Sequence, residues 1–97
     1  MQVILMDIDK LKSFLVLAEC KSFSKAADIL HCSQPAISKH ISSLENELQV
    51  PLFNRIRNKT SLTIQGEYFK HYAEEIVKIY ENSREHIRQI ENLNEGT

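Results

Sequence analysis

Apolar residues recur at helical spacing in three separate stretches of this chain. The first stretch follows Asp7 and Asp9, either of which can cap a helix, and its apolar face consists of Ile8, Leu11, Phe14, Leu15 and Ala18. We expect this helix to end near Cys20 or Lys21 and to serve as core packing.

Two further helices follow with only a three-residue turn between them. The pattern predicts a short helix over residues 24–30, capped by Ser24, and a longer one over about residues 34–48, capped by Ser33. Pro35 fits the first turn of the longer helix, where a missing N–H costs little. Two helices joined in this way form a helix-turn-helix, whose second helix can enter the DNA major groove.

The longer helix is apolar on one side and polar on the other. Its apolar side consists of Ile37, Ile41, Leu44 and Leu48, and its polar side of Gln34, Pro35, Ser38, Lys39 and Ser42. A glutamine can bond adenine, serine can bond several base edges, lysine can bond guanine, and proline can touch a thymine methyl group. A merely solvated face would show the same periodicity, so the spacing alone leaves both interpretations open.

A small basic hairpin is predicted after the second motif helix. Residues 52–56 and 61–63 are short extended candidates that flank a polar, turn-prone segment. Basic side chains at such a hairpin can reach phosphates or a narrow minor groove, and here they are Arg55, Arg57 and Lys59. The alternatives are a solvated loop and, for Arg55, a structural ion pair with Glu45 or Glu47.

The rest of the chain predicts one long helix, capped by Thr63 and uninterrupted by proline. A heptad-like seam runs along it, made of Phe69, Ala73, Ile76, Tyr80, Ser83, Ile87, Ile90 and Asn94. A helix of about thirty residues is roughly 45 Å long, which is more than so small a domain can cover. We therefore expect pairing with a second copy, through Phe69, Ala73, Ile76, Tyr80, Ile87 and Ile90. Folding back onto its own domain is the alternative.

The order of these motifs resembles the amino-terminal domain of LysR-type transcriptional regulators, from Met6 to about Ile76. The matching segments are Ser22-Phe23-Ser24-Lys25-Ala26-Ala27, Ser33-Gln34-Pro35-Ala36-Ile37-Ser38, Leu52-Phe53-x-Arg55 and Leu62-Thr63-x-x-Gly66. The resemblance implies a mainly α fold: a winged helix-turn-helix of three helices and a β-hairpin wing over residues 1–63, then a linker helix over residues 64–97.

The same resemblance implies a bacterial, cytoplasmic DNA-binding regulator that acts as a homodimer or tetramer on an inverted-repeat operator in double-stranded DNA. Together, the residue pattern and the resemblance predict DNA contacts from Ser22, Ser24, Lys25, Ser33, Gln34, Pro35, Ser38, Lys39, Ser42, Arg55, Arg57 and Lys59. Full-length members carry a further effector-binding domain, which this sequence lacks, so we expect effector response to lie outside it.

Three positions depart from the family pattern. Gln49 stands where a glycine usually ends the recognition helix, so we expect a less regular helix end there. Asn58 stands where an arginine is common in the wing, which leaves open whether Arg57 or Lys59 enters the minor groove. Ile64 replaces a proline and should affect only the first turn of the last helix.

The charge distribution favours nucleic-acid binding, and the composition argues against a membrane protein. The net charge is −1, but residues 21–61 carry six Lys or Arg against three Asp or Glu, which places positive charge on the motif and the wing. No apolar run approaches the roughly 18 residues of a membrane span, and residues 1–6 are too short for a signal peptide.

Candidate chemistry for an enzyme or a metal site is scarce. The four histidines, His31, His40, His71 and His86, have no carboxylate or cysteine partners at catalytic or ligand spacing. Cys20 and Cys32 do not form a metal-binding spacing, and we expect reduced thiols. We therefore expect neither catalysis nor a cofactor.

Two other binding functions remain as alternatives. A protein-interaction module built on the long helix explains residues 64–97 but gives the polar helix face and the basic wing no role. A winged helix of another regulator family is disfavoured only by the order of the motifs.

Overall fold

A computed structural model describes residues 6–56 and 59–95. Three helices come first: α1 (Ile8–Cys20), α2 (Phe23–Leu30) and α3 (Gln34–Leu48). An antiparallel hairpin follows, made of β1 (Phe53–Ile56) and β2 (Lys59–Leu62), and the long helix α4 (Ile64–Glu95) completes the chain. The mainly α, winged helix-turn-helix architecture predicted from the sequence is confirmed.

Side-chain caps fix where the first three helices begin. Asp7 accepts from the N–H of Lys10, Ser22 from that of Lys25, and Ser33 from that of Ala36. The prediction that Ser24 caps α2 is wrong. The capping residue is Ser22, because its backbone is extended, as a cap requires, whereas Ser24 already lies inside the helix.

Left-handed residues end the same three helices. Lys21, His31 and Gln49 have φ of 56°, 56° and 59°, a conformation in which a residue other than glycine costs about 1–2 kcal/mol. Gln49 therefore adopts the backbone expected of glycine. Its side-chain amide donates to the carbonyl oxygen of Asn46. The backbone N–H of Lys21 and that of His31 each bond back into the preceding helix, and the less regular end expected for α3 stays a prediction.

The core forms around Phe14 of α1. The ring centroid of Phe14 lies 5.4 Å from that of Phe53 and 5.1 Å from that of Phe69, which joins α1 to the wing and to α4. The largest fully buried side chains besides Phe14 include five from α1 and α3, namely Leu11, Leu17, Ile37, Ile41 and Leu44. Leu17 was not among the predicted core residues of α1, whereas the predicted Leu15 is only half-buried.

A buried polar contact also ties α1 to α3. The hydroxyl oxygen of Ser13, which is 2% exposed, lies 2.7 Å from Nδ1 of His40. A hydroxyl can act as donor or acceptor, so the pair is satisfied in either histidine tautomer. This contact accounts for one of the four histidines as a structural residue of the recognition helix.

The first half of α4 packs against its own domain. Ala73 is completely buried there and Phe69 contacts Phe14. Of these two predicted dimerisation residues, Ala73 is therefore a core residue of its own chain and Phe69 is half-buried against that core, because α1 covers that side of α4. Lys12 forms an ion pair with Glu81 at 3.0 Å, and this bond lowers the pKa of the Glu81 carboxyl below its ordinary value.

The hairpin is longer than predicted on its second strand. Arg55 pairs with Thr60 and Ile56 with Lys59, so Lys59 and Thr60 belong to β2 rather than to the turn. The expectation that they form a loop is wrong because pairing continues to the end of β1. Arg57 lies outside the described residues, as do residues 1–5.

Backbone hydrogen bonds at Leu52 connect α3 to the wing and to α4. The carboxylate of Glu45 on α3 accepts from the N–H of Leu52 at 2.7 Å and of Phe53 at 3.3 Å. The carbonyl oxygen of Leu52 accepts from the N–H of Thr63 at 2.9 Å. We call these contacts, together with those of Thr63 and Gly66, the Leu52 junction.

Thr63 completes the junction and begins α4. Its hydroxyl donates to the carbonyl oxygen of Pro51 at 2.7 Å and accepts from the N–H of Gly66 at 2.9 Å. The predicted cap is thus confirmed. Gly66 packs so closely that a Cβ there would overlap the carbonyl oxygen of Leu52 and lie 2.9 Å from Cδ2 of Leu62.

Gly66→Ala should therefore destabilise the fold by about 1–3 kcal/mol, because backbone at Leu52 must shift to admit one methyl group. The free energy of unfolding in urea measures this. Gln65→Ala, at the exposed neighbouring position, is the matched control and should change stability by less than about 0.5 kcal/mol. Equal stability of the two variants would contradict tight packing at the junction.

Candidate nucleic-acid interface

The start of α3 presents its polar side to solvent. Gln34 and Pro35 are exposed and Ser38 is half-buried, while Ile37 and Ile41 on the opposite side are completely buried. Core packing therefore fixes the rotation of α3 about its axis. The amide, ring and hydroxyl groups predicted to read bases point away from the domain.

The start of α2 lies beside the start of α3. Ser22 caps α2 through its side chain, and Ser24 and Lys25 are exposed in the first turn. The two buried alanines, Ala26 and Ala27, allow α2 to pack closely against its neighbours. Free N–H groups at a helix start favour an anion, and a nearby lysine strengthens that preference.

Two grooves connect these helix starts to the wing. A shallow groove of about 810 Å³ is lined by Phe23, Gln34, Pro35, Ser38 and Arg55. An adjoining groove of about 410 Å³ is lined by Lys21, Ser22, Phe23, Ser24, Gln34, Arg55, Lys59 and Thr60. Predicted contact residues from α2, α3 and the hairpin thus form one continuous surface, which we call the groove surface.

Arg55 stands where the three parts of this surface meet. Its guanidinium carbon lies 4.9 Å from the centre of the Phe23 ring. Neither alternative ion pair of Arg55, with Glu45 or with Glu47, is found among the described residues. The Glu45 carboxylate instead accepts from backbone N–H groups at the Leu52 junction. The Arg55 side chain is therefore exposed at this surface.

Several predicted residues lie outside the two grooves. Lys25, Lys39 and Ser42 are exposed on α2 and α3 but line neither groove, and the hydroxyl of Ser33 caps α3 by accepting from Ala36. Arg57 falls outside the described residues. Lys21, Phe23 and Thr60 were missed as groove residues, although Phe23 was visible in the sequence as an aromatic side chain between two serines.

The described residues hold neither a metal-binding cluster nor a membrane-spanning helix. Within residues 6–56 and 59–95, no three His, Cys, Asp or Glu side chains approach closely enough to hold a metal ion. None of the described helices combines the length and apolar character needed to cross a membrane. Cys20 and Cys32 are free thiols.

Known sequences match this chain over most of its length. Residues 8–67 match the family of bacterial regulatory helix-turn-helix proteins, LysR family. A helix-turn-helix regulator encoded between ibpB and leuC in Azotobacter vinelandii is 42% identical over 89 residues, covering 92% of this chain and 60% of that protein. A probable RuBisCO transcriptional regulator of Synechocystis is 38% identical over 90 residues, 93% of this chain and 26% of that protein.

Solved structures of the same kind superpose closely. The DNA-binding domain of BenM in complex with benA site 1 DNA gives a TM-score of 0.82 at 32% identity, covering 88% of this chain and 99% of that one. The complex of the CbnR DNA-binding domain with DNA gives 0.82 at 33% identity, covering 88% and 98%. From these matches and the winged helix-turn-helix fold, the chain belongs to the LysR family of bacterial regulatory helix-turn-helix proteins.

Proposed function

We propose that this chain is the DNA-binding part of a bacterial transcriptional regulator, that it acts in the cytoplasm, and that it reads an inverted-repeat operator as a homodimer. The observation that carries the proposal is the groove surface, which joins Gln34 and Ser38 of α3 to the basic hairpin. Similar domains have been solved bound to DNA.

Base reading is assigned to the start of α3. A recognition helix contacts base edges with its first residues, and here these are the exposed Gln34 and Pro35 with the half-buried Ser38. The Gln34 amide can donate to and accept from adenine at once. Lys39 and Ser42 lie farther along the exposed side and would contact the flanking backbone.

Phosphate binding is assigned to the wing and to the start of α2. Arg55, Lys59 and Thr60 lie on the hairpin beside Ser22 and Ser24 in the same groove. These groups can donate hydrogen bonds to phosphate oxygens on both sides of the bases that α3 reads. Arg57 would extend the positive charge of the wing.

Dimerisation is assigned to the free face of α4. The exposed fraction is 40% for Ile76, 39% for Tyr80, 65% for Ile87 and 49% for Ile90, so their own domain leaves an apolar stripe uncovered. Contiguous apolar surface rimmed by charge marks an interface. A second α4 running antiparallel would cover the stripe in both copies, consistent with the two-fold symmetry of most homodimers.

We infer that the two-fold axis of the proposed dimer would cross α4 at Ser83. Ser83 lies midway between Ile76 and Ile90 and midway between Ile79 and Ile87. Its hydroxyl donates to the carbonyl oxygen of Tyr80 at 2.7 Å, so it needs no partner from the second copy. A small, internally satisfied side chain there lets two helices approach closely.

Ile87→Asp should weaken the dimer by at least about 2 kcal/mol, because it places an unpaired charge in the apolar stripe. Analytical ultracentrifugation over a concentration series measures the dissociation constant. Asn92→Asp adds the same charge at an exposed position of α4 on the side away from the stripe and should leave the dimer intact. A dimer that survives Ile87→Asp unchanged would place the interface elsewhere.

Gln34→Ala should reduce discrimination between operator and mismatched DNA by about 1–3 kcal/mol, because a base contact is lost.

Lys59→Ala should instead weaken binding to all sequences alike and lower the slope of log K against log salt by about 0.9. Gel-shift titrations on matched and mismatched duplexes at several salt concentrations separate the two effects. Unchanged discrimination by Gln34→Ala would remove this residue from base reading.

A further inference from the structure

Phe23 lies on the groove surface, although its side chain carries no hydrogen-bonding group. It is the first residue of α2, and one side of it packs against the hydrophobic core. It also lines both grooves together with Gln34 and Arg55. An aromatic ring is thus fixed at the point where α2, α3 and the wing meet.

The guanidinium of Arg55 contacts this ring at 4.9 Å from its centre. Over residues 6–56 and 59–95, no hydrogen bond or ion pair of the Arg55 side chain is found beside this contact. A ring attracts the cation without accepting its N–H groups in strong hydrogen bonds. Arg55 is therefore held in place while its donors stay available for a ligand.

A ring that orders the Arg55 side chain before DNA binds should strengthen the binding of phosphate. An exposed arginine has many rotamers, and ordering it on binding costs free energy that a preorganised side chain has already given up. The planar guanidinium suits a phosphate, which it can bind through two parallel hydrogen bonds. Neighbouring Ser22, Ser24 and Lys59 line the same groove and supply further donors.

We propose that Phe23 is a positioning residue that holds the Arg55 guanidinium, at the junction of wing and motif helices, for one DNA phosphate. The inference rests on the proposed DNA binding and adds a role for a side chain that carries no hydrogen-bonding group. It assigns Arg55 to sequence-independent phosphate binding rather than to base reading.

A double-mutant cycle tests the coupling between the two residues. The variants are F23L, R55A and F23L/R55A, and the probe is a mixed-sequence duplex of about three helical turns, titrated at several salt concentrations. R55A should lower the salt slope by about 0.9. F23L should weaken binding about two- to fivefold when Arg55 is present and have no further effect in the R55A background.

Equal weakening by F23L in both backgrounds would overturn the proposal, because the ring would then act only through packing. A wild-type chain that fails to bind the duplex would overturn the proposed function and this inference with it. If the wild-type chain binds the duplex but the effects of F23L and R55A simply add in the double variant, only the inference about Phe23 is overturned.

A second variant and a spectroscopic signal guard against effects on folding. F23Y retains an aromatic ring and should keep both the affinity and the coupling of wild type. The Hε resonance of Arg55 should show the shift caused by a nearby ring in wild type and F23Y, and lose it in F23L. An unchanged resonance in a folded F23L chain would contradict the contact.

Discussion

The Leu52 junction is the constraint on which the arrangement of the molecule depends. One carboxylate, that of Glu45 near the end of α3, accepts from the N–H groups of Leu52, just before β1, and of Phe53, its first residue. The carbonyl oxygen of Leu52 then accepts from Thr63, whose hydroxyl begins α4. Recognition helix, wing and linker helix are thus fixed to one another through a few hydrogen bonds, with Gly66 allowing the closest approach. Since buried backbone groups are costly to leave unpaired, this geometry should be stiff.

Because the junction is stiff, the groove surface and the free face of α4 keep a fixed distance and orientation relative to each other. Base-reading groups of α3 and basic groups of the hairpin face the same grooves, while the apolar stripe from Ile76 to Ile90 remains uncovered. A second copy on this stripe would place two groove surfaces about a two-fold axis. The spacing of two half-sites would then follow from the packing of α4, which lies outside the recognition unit.

Periodicity and helix signals were enough to predict the helices, the hairpin and the exposed side of α3. They failed where tertiary packing decided the outcome. The position of Ala73 in the heptad seam suits a core residue and an interface residue equally well. Only the position of α1 shows that Ala73 is buried within its own chain. Gln49 adopts a left-handed backbone that glycine would be expected to supply. Phe23 could not be assigned from spacing, because its contact with Arg55 joins residues far apart in sequence.

Selection of bound sequences from a random duplex pool, at a stated salt concentration, tests the central claim most directly. The account predicts enrichment of an inverted repeat whose half-sites lie about one helical turn, or a multiple of it, apart. Two recognition helices related by a two-fold axis require that symmetry. Absence of any enriched sequence, with the chain folded and dimeric, would contradict sequence-specific DNA recognition and favour an interaction module built on α4.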